Sequence, residues 1–97
     1  MEHTGIKPKV IEEIRTFARK YNIDKVILFG SRARGDYRRT SDIDLAVVGG
    51  DFARSALDVD EETSTLLEYD IVDMSREMQD ELRQSIMREG KILYEKV

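Results

Sequence analysis

The sequence predicts an α/β domain built from about four short strands with flanking helices. The pattern is clearest in residues 26–48. Residues 26–29 form an apolar run rich in β-formers that ends at Gly30, and residues 42–48 alternate between two faces. Upstream, apolar residues recur at the spacing of an amphipathic helix, at positions 10, 11, 14, 17, 18 and 21. Further strands are expected at 66–74 and 91–95.

Length and composition indicate one domain with a polar surface. The chain has 97 residues, 40% hydrophobic and 37% charged, with a net charge of −4. We therefore expect a single domain over 1–97 with one modest core. The negative charge disfavours nucleic-acid binding, which needs clustered positive charge. The chain has no cysteine for disulfides or thiolate metal sites, no apolar run of membrane-spanning length and no signal-peptide pattern. A cytoplasmic location is expected.

Capping residues set the limits of the first two long helices. Pro8 suits the first turn of a helix that Asn22 ends, and residues 1–7 before it are expected to be a loose terminus in which His3 is a mobile surface side chain. Gly49-Gly50 ends the 42–48 strand, and Asp51 is a good N-cap for a helix over 52–62. The expected apolar side of that helix is Phe52, Ala53, Ala56, Leu57 and Val59.

The C-terminal part is predicted to be a helix followed by an edge strand. Ser75 is a credible N-cap for a helix over 76–89, which Gly90 stops. Residues 91–95 read as a short strand at the sheet edge, protected by Lys91 and Lys96. The expected buried side of the helix is Met78, Leu82 and Ile86.

Two aspartates on one face of a strand are the first functional signal. In the 42–48 strand, Ile43, Leu45 and Val47 share one face, so Asp42 and Asp44 share the other. Aspartate is depleted in strands, and neighbouring like charges repel. Either Asp42 lies at an exposed strand start with Asp44 on a wet face, or a divalent cation lies between them. Hard oxygen ligands suit Mg²⁺ or Mn²⁺.

The turn before these aspartates is the second signal. Gly30-Ser31 follows a strand and opens a short helix that Gly35 ends. Glycine permits close approach of a phosphate, and a helix start offers amide N–H groups and a serine hydroxyl. An ordinary strand-to-helix turn has the same sequence, so the combination with Asp42 and Asp44 is what favours a phosphate site.

The spacing Gly30-Ser31, ten residues, then Asp42-Ile43-Asp44 resembles the signature of the polymerase-β-like nucleotidyltransferase superfamily. The fuller string GSRARGDYRRTSDIDLAV resembles its minimal nucleotidyltransferase (MNT) family, and LLEYDIVDM and GKILYE also fit. The resemblance implies a small polymerase-β-like fold with a mixed sheet. It also implies a HEPN-type helical partner, often the toxin of a toxin–antitoxin pair.

The resemblance further implies a site with two Mg²⁺ ions, or Mn²⁺, and ATP as substrate. Asp42 and Asp44 would bridge both ions, and a third carboxylate would come from the adjacent strand. Asp70 matches that position best, and Asp73 is the alternative. Gly30 and Ser31 would hold the β- and γ-phosphates.

Arginines and a serine near the turn complete the predicted site. Arg32 and Arg34 follow the turn directly and are expected to neutralise the triphosphate. Ser41 either hydrogen-bonds the loop or orients a carboxylate. Arg38 and Arg39 are phosphate contacts or solvated loop residues.

The expected function is AMP transfer from ATP to a tyrosine of the HEPN-type partner. One alternative is a module that binds nucleotide and acts by docking alone. Another is a subunit that modifies a small-molecule hydroxyl. Extension of nucleic-acid 3′ ends is disfavoured by the net charge.

Overall fold

The computed structural model describes residues 3–97, and its elements alternate between helix and strand. A single four-stranded sheet has the order β3-β2-β1-β4. Strand β1 is antiparallel to β2 and to β4, whereas β2 and β3 are parallel. The predicted mixed sheet is therefore confirmed. The elements in chain order are α1 (Pro8–Lys20), β1 (Lys25–Phe29), α2 (Ser31–Arg34), β2 (Ile43–Val48), α3 (Phe52–Glu62), β3 (Tyr69–Asp73), α4 (Asp80–Glu89) and β4 (Lys91–Glu95).

The two faces of the sheet are covered by different helices. Helices α1 and α3 pack on one face, where Ile14 and Val59 join Leu28 and Leu45 in the larger core. Helix α4 covers part of the other face, where Ile86 packs with Ile27, Phe29, Ala46 and Met74. Because side chains alternate along a strand, Asp44 and Ala46 belong to the α4 face. Helix α4 leaves exposed the end of this face at which the aspartates lie.

Local sequence signals explain most element limits. After α1, Asn22 adopts a left-handed φ of 59°, and the Ile23 amide bonds the Ala18 carbonyl, which closes the helix as predicted. At α3, the Asp51 carboxylate accepts a hydrogen bond from the Arg54 amide at 3.3 Å, so the predicted cap is confirmed. The predicted edge position of the last strand is confirmed by β4.

The prediction of a loose terminus over 1–7 is wrong for the residues that the structure describes; residues 1 and 2 lie outside them. Thr4 is fully buried and Ile6 belongs to the larger core. The Thr4 hydroxyl accepts a hydrogen bond from the Ile6 amide, and its carbonyl accepts one from Arg32. His3 is exposed, as expected, and its mobility stays a prediction.

Two predicted elements begin too early. Helix α4 begins at Asp80 and not at 76, because the Ser75 hydroxyl bonds Asp73 within a turn instead of capping a helix. Strand β3 begins at Tyr69 and not at 66, because Glu13 of α1 holds Ser64 through two 2.8 Å hydrogen bonds and Leu66 is fully exposed.

The predicted apolar side of α3 is only partly right. Ala53 and Leu57 are exposed, whereas Ser55 and Val59 are buried. Ser55 can occupy a core position because its hydroxyl donates to the Phe52 carbonyl at 2.9 Å. Within residues 3–97, no helix has the length and apolar content needed to cross a lipid bilayer.

Candidate active site

The predicted functional residues meet at one end of the sheet. Strand β1 runs toward Gly30, and β2 and β3 both begin at that same end, because β2 is antiparallel to β1 and parallel to β3. The sheet therefore brings Gly30, Asp42, Asp44 and Asp70 to the same end of the three strands. Asp42 lies just before β2, which begins at Ile43, one residue later than the predicted start at 42. Both Asp42 and Asp70 are exposed, and Asp44 is partly buried.

Asp44 and Asp70 are direct neighbours across the parallel pair. The register pairs Asp44 with Asp70 and Ala46 with Val72, so both aspartates belong to the α4 face of the sheet. On the other side, Asp44 pairs with Phe29, the last residue before Gly30. At this end of the sheet, Asp44 thus lies between the Gly30 turn and the Asp70 carboxylate of β3.

The electrostatics of Asp44 reflect this crowding. Burial raises the pKa of the Asp44 carboxyl, and the charges of Asp70 and Asp42 raise that pKa further. The Arg34 guanidinium acts in the opposite direction and lowers it. Three carboxylates and one guanidinium therefore interact at this end of the sheet, and the carboxylates repel one another.

Gly30 has a backbone that only glycine tolerates at this place. Its φ of 74° and ψ of −158° lie in a region that side chains essentially exclude. A Cβ at Gly30 would also overlap the Asp44 carboxylate. The missing side chain therefore lets the turn approach Asp44 closely, which supports the predicted need for glycine. Ser31, the first residue of α2, is partly exposed at the same turn.

Arg32, predicted to neutralise the triphosphate, is buried in the structure. Arg32 is only 1% exposed, and its guanidinium donates to the carbonyl oxygens of Thr4 at 2.9 Å and Ser41 at 3.0 Å. It also lies over the Tyr37 ring, 4.9 Å from the centroid. These contacts use its donors inside the protein, so the expectation that Arg32 neutralises phosphate is not supported by its position.

Arg34 and Ser41 have contacts that are compatible with their predicted roles. Arg34 pairs with Asp36 at 3.3 Å and with Glu89 of α4 at 3.2 Å, while its charge acts on Asp44. The Ser41 hydroxyl accepts a hydrogen bond from the Arg38 amide at 2.8 Å, which is the loop contact that was one of its two predicted alternatives.

Asp73, the alternative third carboxylate, lies at the opposite end of β3. It pairs in register with Val47 and accepts hydrogen bonds from the amide and hydroxyl of Ser75. The Ser75 contacts lower the pKa of the Asp73 carboxyl, the expected effect of stabilising its charged form. The hydrogen bonds from Ser75 indicate that Asp73 stabilises the turn after β3. Because Asp73 lies at the far end of β3 from Asp44, the structure favours Asp70 as the third carboxylate of the site.

The donor set fits hard divalent cations, because carboxylate oxygens from adjacent strands repel one another unless a positive charge lies among them. Asp42, Asp44 and Asp70 would be the ligands. In residues 3–97, no three His, Cys, Asp or Glu side chains lie close enough together to form a ready-made metal cluster. The trio would therefore have to draw together around the ions, as mutually repelling carboxylates are expected to do.

Two residues of this region were not predicted from the sequence as contributors. Glu89 binds Arg34 from a helix 55 positions away, and Thr4 provides a buried carbonyl to Arg32 from the terminus. Neither contact leaves a local pattern, because both partners come from distant parts of the chain.

Comparison with known proteins gives matches to nucleotidyltransferases. A family profile described as "Polymerase beta, Nucleotidyltransferase" matches residues 12–97. A Methanocaldococcus jannaschii protein named "Putative protein adenylyltransferase MJ0604" is 37% identical over 98 residues, which covers 89% of this chain and 96% of that protein.

Solved structures with the same fold include two toxin–antitoxin complexes. A chain of a toxin–antitoxin structure with AMP-PNP has a TM-score of 0.69 and 26% identity, covering 89% of this chain and 73% of its own. A chain of the Y104A mutant of the toxin–antitoxin MntA–HpeT has a TM-score of 0.67 and 26% identity, covering 88% and 72%.

Proposed function

The chain belongs to the polymerase beta nucleotidyltransferase family and is a nucleotidyltransferase, and we propose that it moves AMP from ATP to a tyrosine of a HEPN-type helical partner. One observation carries the proposal. Asp44 lies between Asp70 on the adjacent strand and the Gly30 turn, with Asp42 two residues upstream.

The aspartates would act as ligands. Asp42, Asp44 and Asp70 would hold the Mg²⁺ ions. Bound there, the ions supply a lowered pKa for the attacking hydroxyl and charge stabilisation for the leaving pyrophosphate. Burial and then repulsion from Asp70 and Asp42 raise the pKa of Asp44, and the repulsion supports this role because cations would relieve it.

The turn and the neighbouring arginine would bind the triphosphate. The glycine at 30 leaves room beside Asp44, and the first amides of α2 with the Ser31 hydroxyl are suitable donors to the β- and γ-phosphates. Arg34 already acts electrostatically on Asp44 and could exchange its 3.2 Å contact with Glu89 for a phosphate oxygen.

The proposed reaction is a displacement at the α-phosphorus of ATP. The tyrosine oxygen attacks that phosphorus, the bond to the β-phosphate breaks, and pyrophosphate leaves. The tyrosine proton passes to the Asp70 carboxylate or to water. The products are an adenylylated tyrosine and pyrophosphate, so atoms and charges balance.

A partner protein is favoured by the openness of the site. Asp42 and Asp70 are exposed at this end of the sheet, so the described part of the chain does not enclose an acceptor there. Two observations support a protein acceptor and an adenine nucleotide: the name of the M. jannaschii relative and the AMP-PNP in the toxin–antitoxin structure.

The test is a transfer assay with ATP labelled at the α-phosphate and a HEPN-type helical protein as the candidate acceptor. We expect label on the partner with wild-type protein and with Asp73→Asn, and no label with Asp44→Asn or Asp70→Asn. Label that stays in free nucleotide while the complex forms normally would overturn AMP transfer and favour docking alone.

A further inference from the structure

We propose that Arg32 is a positioning residue that fixes the backbone at Asp42 and ties it to the N-terminal segment. The inference rests on the proposed function, in which Asp42 is a metal ligand. The two structures that Arg32 joins are the N-terminal segment (residues 3–7) and the Asp42 loop (residues 35–42).

The guanidinium of Arg32 holds the Asp42 loop at several points. Its Nε donates to the Ser41 carbonyl at 3.0 Å, and its Nη2 contacts the carbonyls of Arg39 at 3.3 Å and Arg38 at 3.5 Å. Tyr37 of the same loop provides its ring as a cation–π partner. One side chain therefore contacts most of the loop between Gly35 and Asp42.

The backbone at Asp42 is fixed on both sides. Upstream, Arg32 holds the Ser41 carbonyl, which belongs to the peptide group that joins Ser41 to Asp42. Downstream, the Ile43 amide donates to the Glu68 carbonyl at 2.9 Å, just before β3. Asp42 itself is exposed and lies before the strand, so the Arg32 contact substitutes for sheet pairing.

The same guanidinium anchors the N-terminal segment. Its Nη1 donates to the Thr4 carbonyl at 2.9 Å, and Gly5 packs so closely that a Cβ there would lie 2.7 Å from Nη1 and 2.5 Å from the Tyr37 ring. Because Arg32 is 1% exposed, these contacts are shielded from water. A planar guanidinium can reach both segments at once, whereas the compact ammonium of lysine cannot reproduce that fork.

The role is tested by Arg32→Lys, which keeps the charge and removes the fork. Groups that orient metal ligands typically affect metal affinity by about 10- to 100-fold, so we expect Mn²⁺ to bind about tenfold more weakly. Free Mn²⁺ is measured by electron paramagnetic resonance without ATP or acceptor. Arg38→Lys, the same change at an exposed arginine of the loop, should bind Mn²⁺ like the wild type.

Amide hydrogen exchange supplies a readout that does not depend on metal. In Arg32→Lys we expect the Ser41 and Ile43 amides to exchange about tenfold faster, because a charged hydrogen bond contributes roughly a decade in equilibrium constant. The Ile23 amide, bonded to Ala18 at the end of α1, is the reference for global opening and should not change. If Arg32→Lys does not fold, Tyr37→Leu removes the ring while keeping the guanidinium and should give a smaller shift in the same direction.

The outcomes separate the two proposals. Wild-type Mn²⁺ affinity in the Arg32 variant, beside weakened binding in Asp42→Asn, would overturn the positioning role. An equal acceleration of the Ser41 and Ile23 amides would also overturn it, because it indicates a purely global effect. Unchanged Mn²⁺ binding in Asp42→Asn would instead overturn the metal assignment, and the exchange data would still decide whether Arg32 holds the loop.

Discussion

Replacing Asp44 by asparagine should stabilise the protein at pH 7 when no divalent cation is present. Burial raises the pKa of the Asp44 carboxyl, and the charges of Asp70, its register partner on β3, and of Asp42 raise that pKa further. Asparagine keeps the shape of the side chain and removes the charge. The folded state then loses a repulsion that the unfolded chain largely lacks, so the free energy of unfolding should increase.

The size of the effect follows from the sheet geometry. Neighbouring strands lie about 4.8 Å apart, and at that separation two unit charges repel by about 1 kcal/mol in water and by about 3.5 kcal/mol at an effective dielectric constant of 20. Asp70 is exposed and Asp44 only partly buried, so the lower end applies. We expect Asp44→Asn to gain about 1 kcal/mol.

A double-mutant cycle isolates the pair. Asp44→Asn and Asp70→Asn should each raise the free energy of unfolding in urea with EDTA, whereas the double variant should gain little beyond either one. The coupling energy should be about 1 kcal/mol. Single effects that simply add, or an Asp44 variant no more stable than the wild type, would refute the claim that these carboxylates repel each other in the folded state.

The pH dependence has a definite sign. The folded-state pKa of Asp44 lies above its ordinary value of 3.8, so the folded state binds the proton more tightly. The penalty of the ionised group therefore appears as pH rises from 3.8 through the raised pKa and is complete above it. The advantage of Asp44→Asn should vanish when the pH falls below that window, as urea unfolding at pH 3 and pH 7 would reveal.

Four further substitutions follow from the same structure. Gly30→Ala should lower the free energy of unfolding, measured in urea, by about 1–3 kcal/mol and abolish transfer, because its backbone excludes a side chain. Gly35→Ala is also strained, at a φ of 95°, but its added Cβ has no atom within 4 Å, so it should leave transfer intact. Asp73→Asn should reduce stability at pH 7 but not at acid pH, since Ser75 lowers the pKa of Asp73, and a loss of transfer would contradict its structural role. Asp51→Ala should cost about 1 kcal/mol of unfolding free energy through the lost N-cap, with no change in transfer.

Local patterns predicted the elements that depend on local physics. Helix α1 follows from apolar periodicity, the start of α3 from the Asp51 cap, and the position of Asp44 from alternation along one strand. The sequence favours Asp70 as the third carboxylate, and the parallel register with Asp44 gives a physical reason for that preference.

Long-range contacts limited the remaining predictions. Ser75 looked like a helix cap, but Asp73 uses its hydroxyl in a turn. Arg32 directly follows the predicted phosphate turn, a position that predicts phosphate binding. Its actual partners include Thr4, 28 positions earlier, and carbonyls of the Asp42 loop, whose positions depend on the folded chain. No spacing rule identifies a buried arginine held by backbone oxygens.

The most direct test is a crystal structure with Mn²⁺ and AMP-PNP, using anomalous scattering to locate the metal. We predict Mn²⁺ held by Asp42, Asp44 and Asp70, and the triphosphate against Gly30-Ser31. Mn²⁺ at other residues, or nucleotide bound away from that turn, would contradict the proposed site.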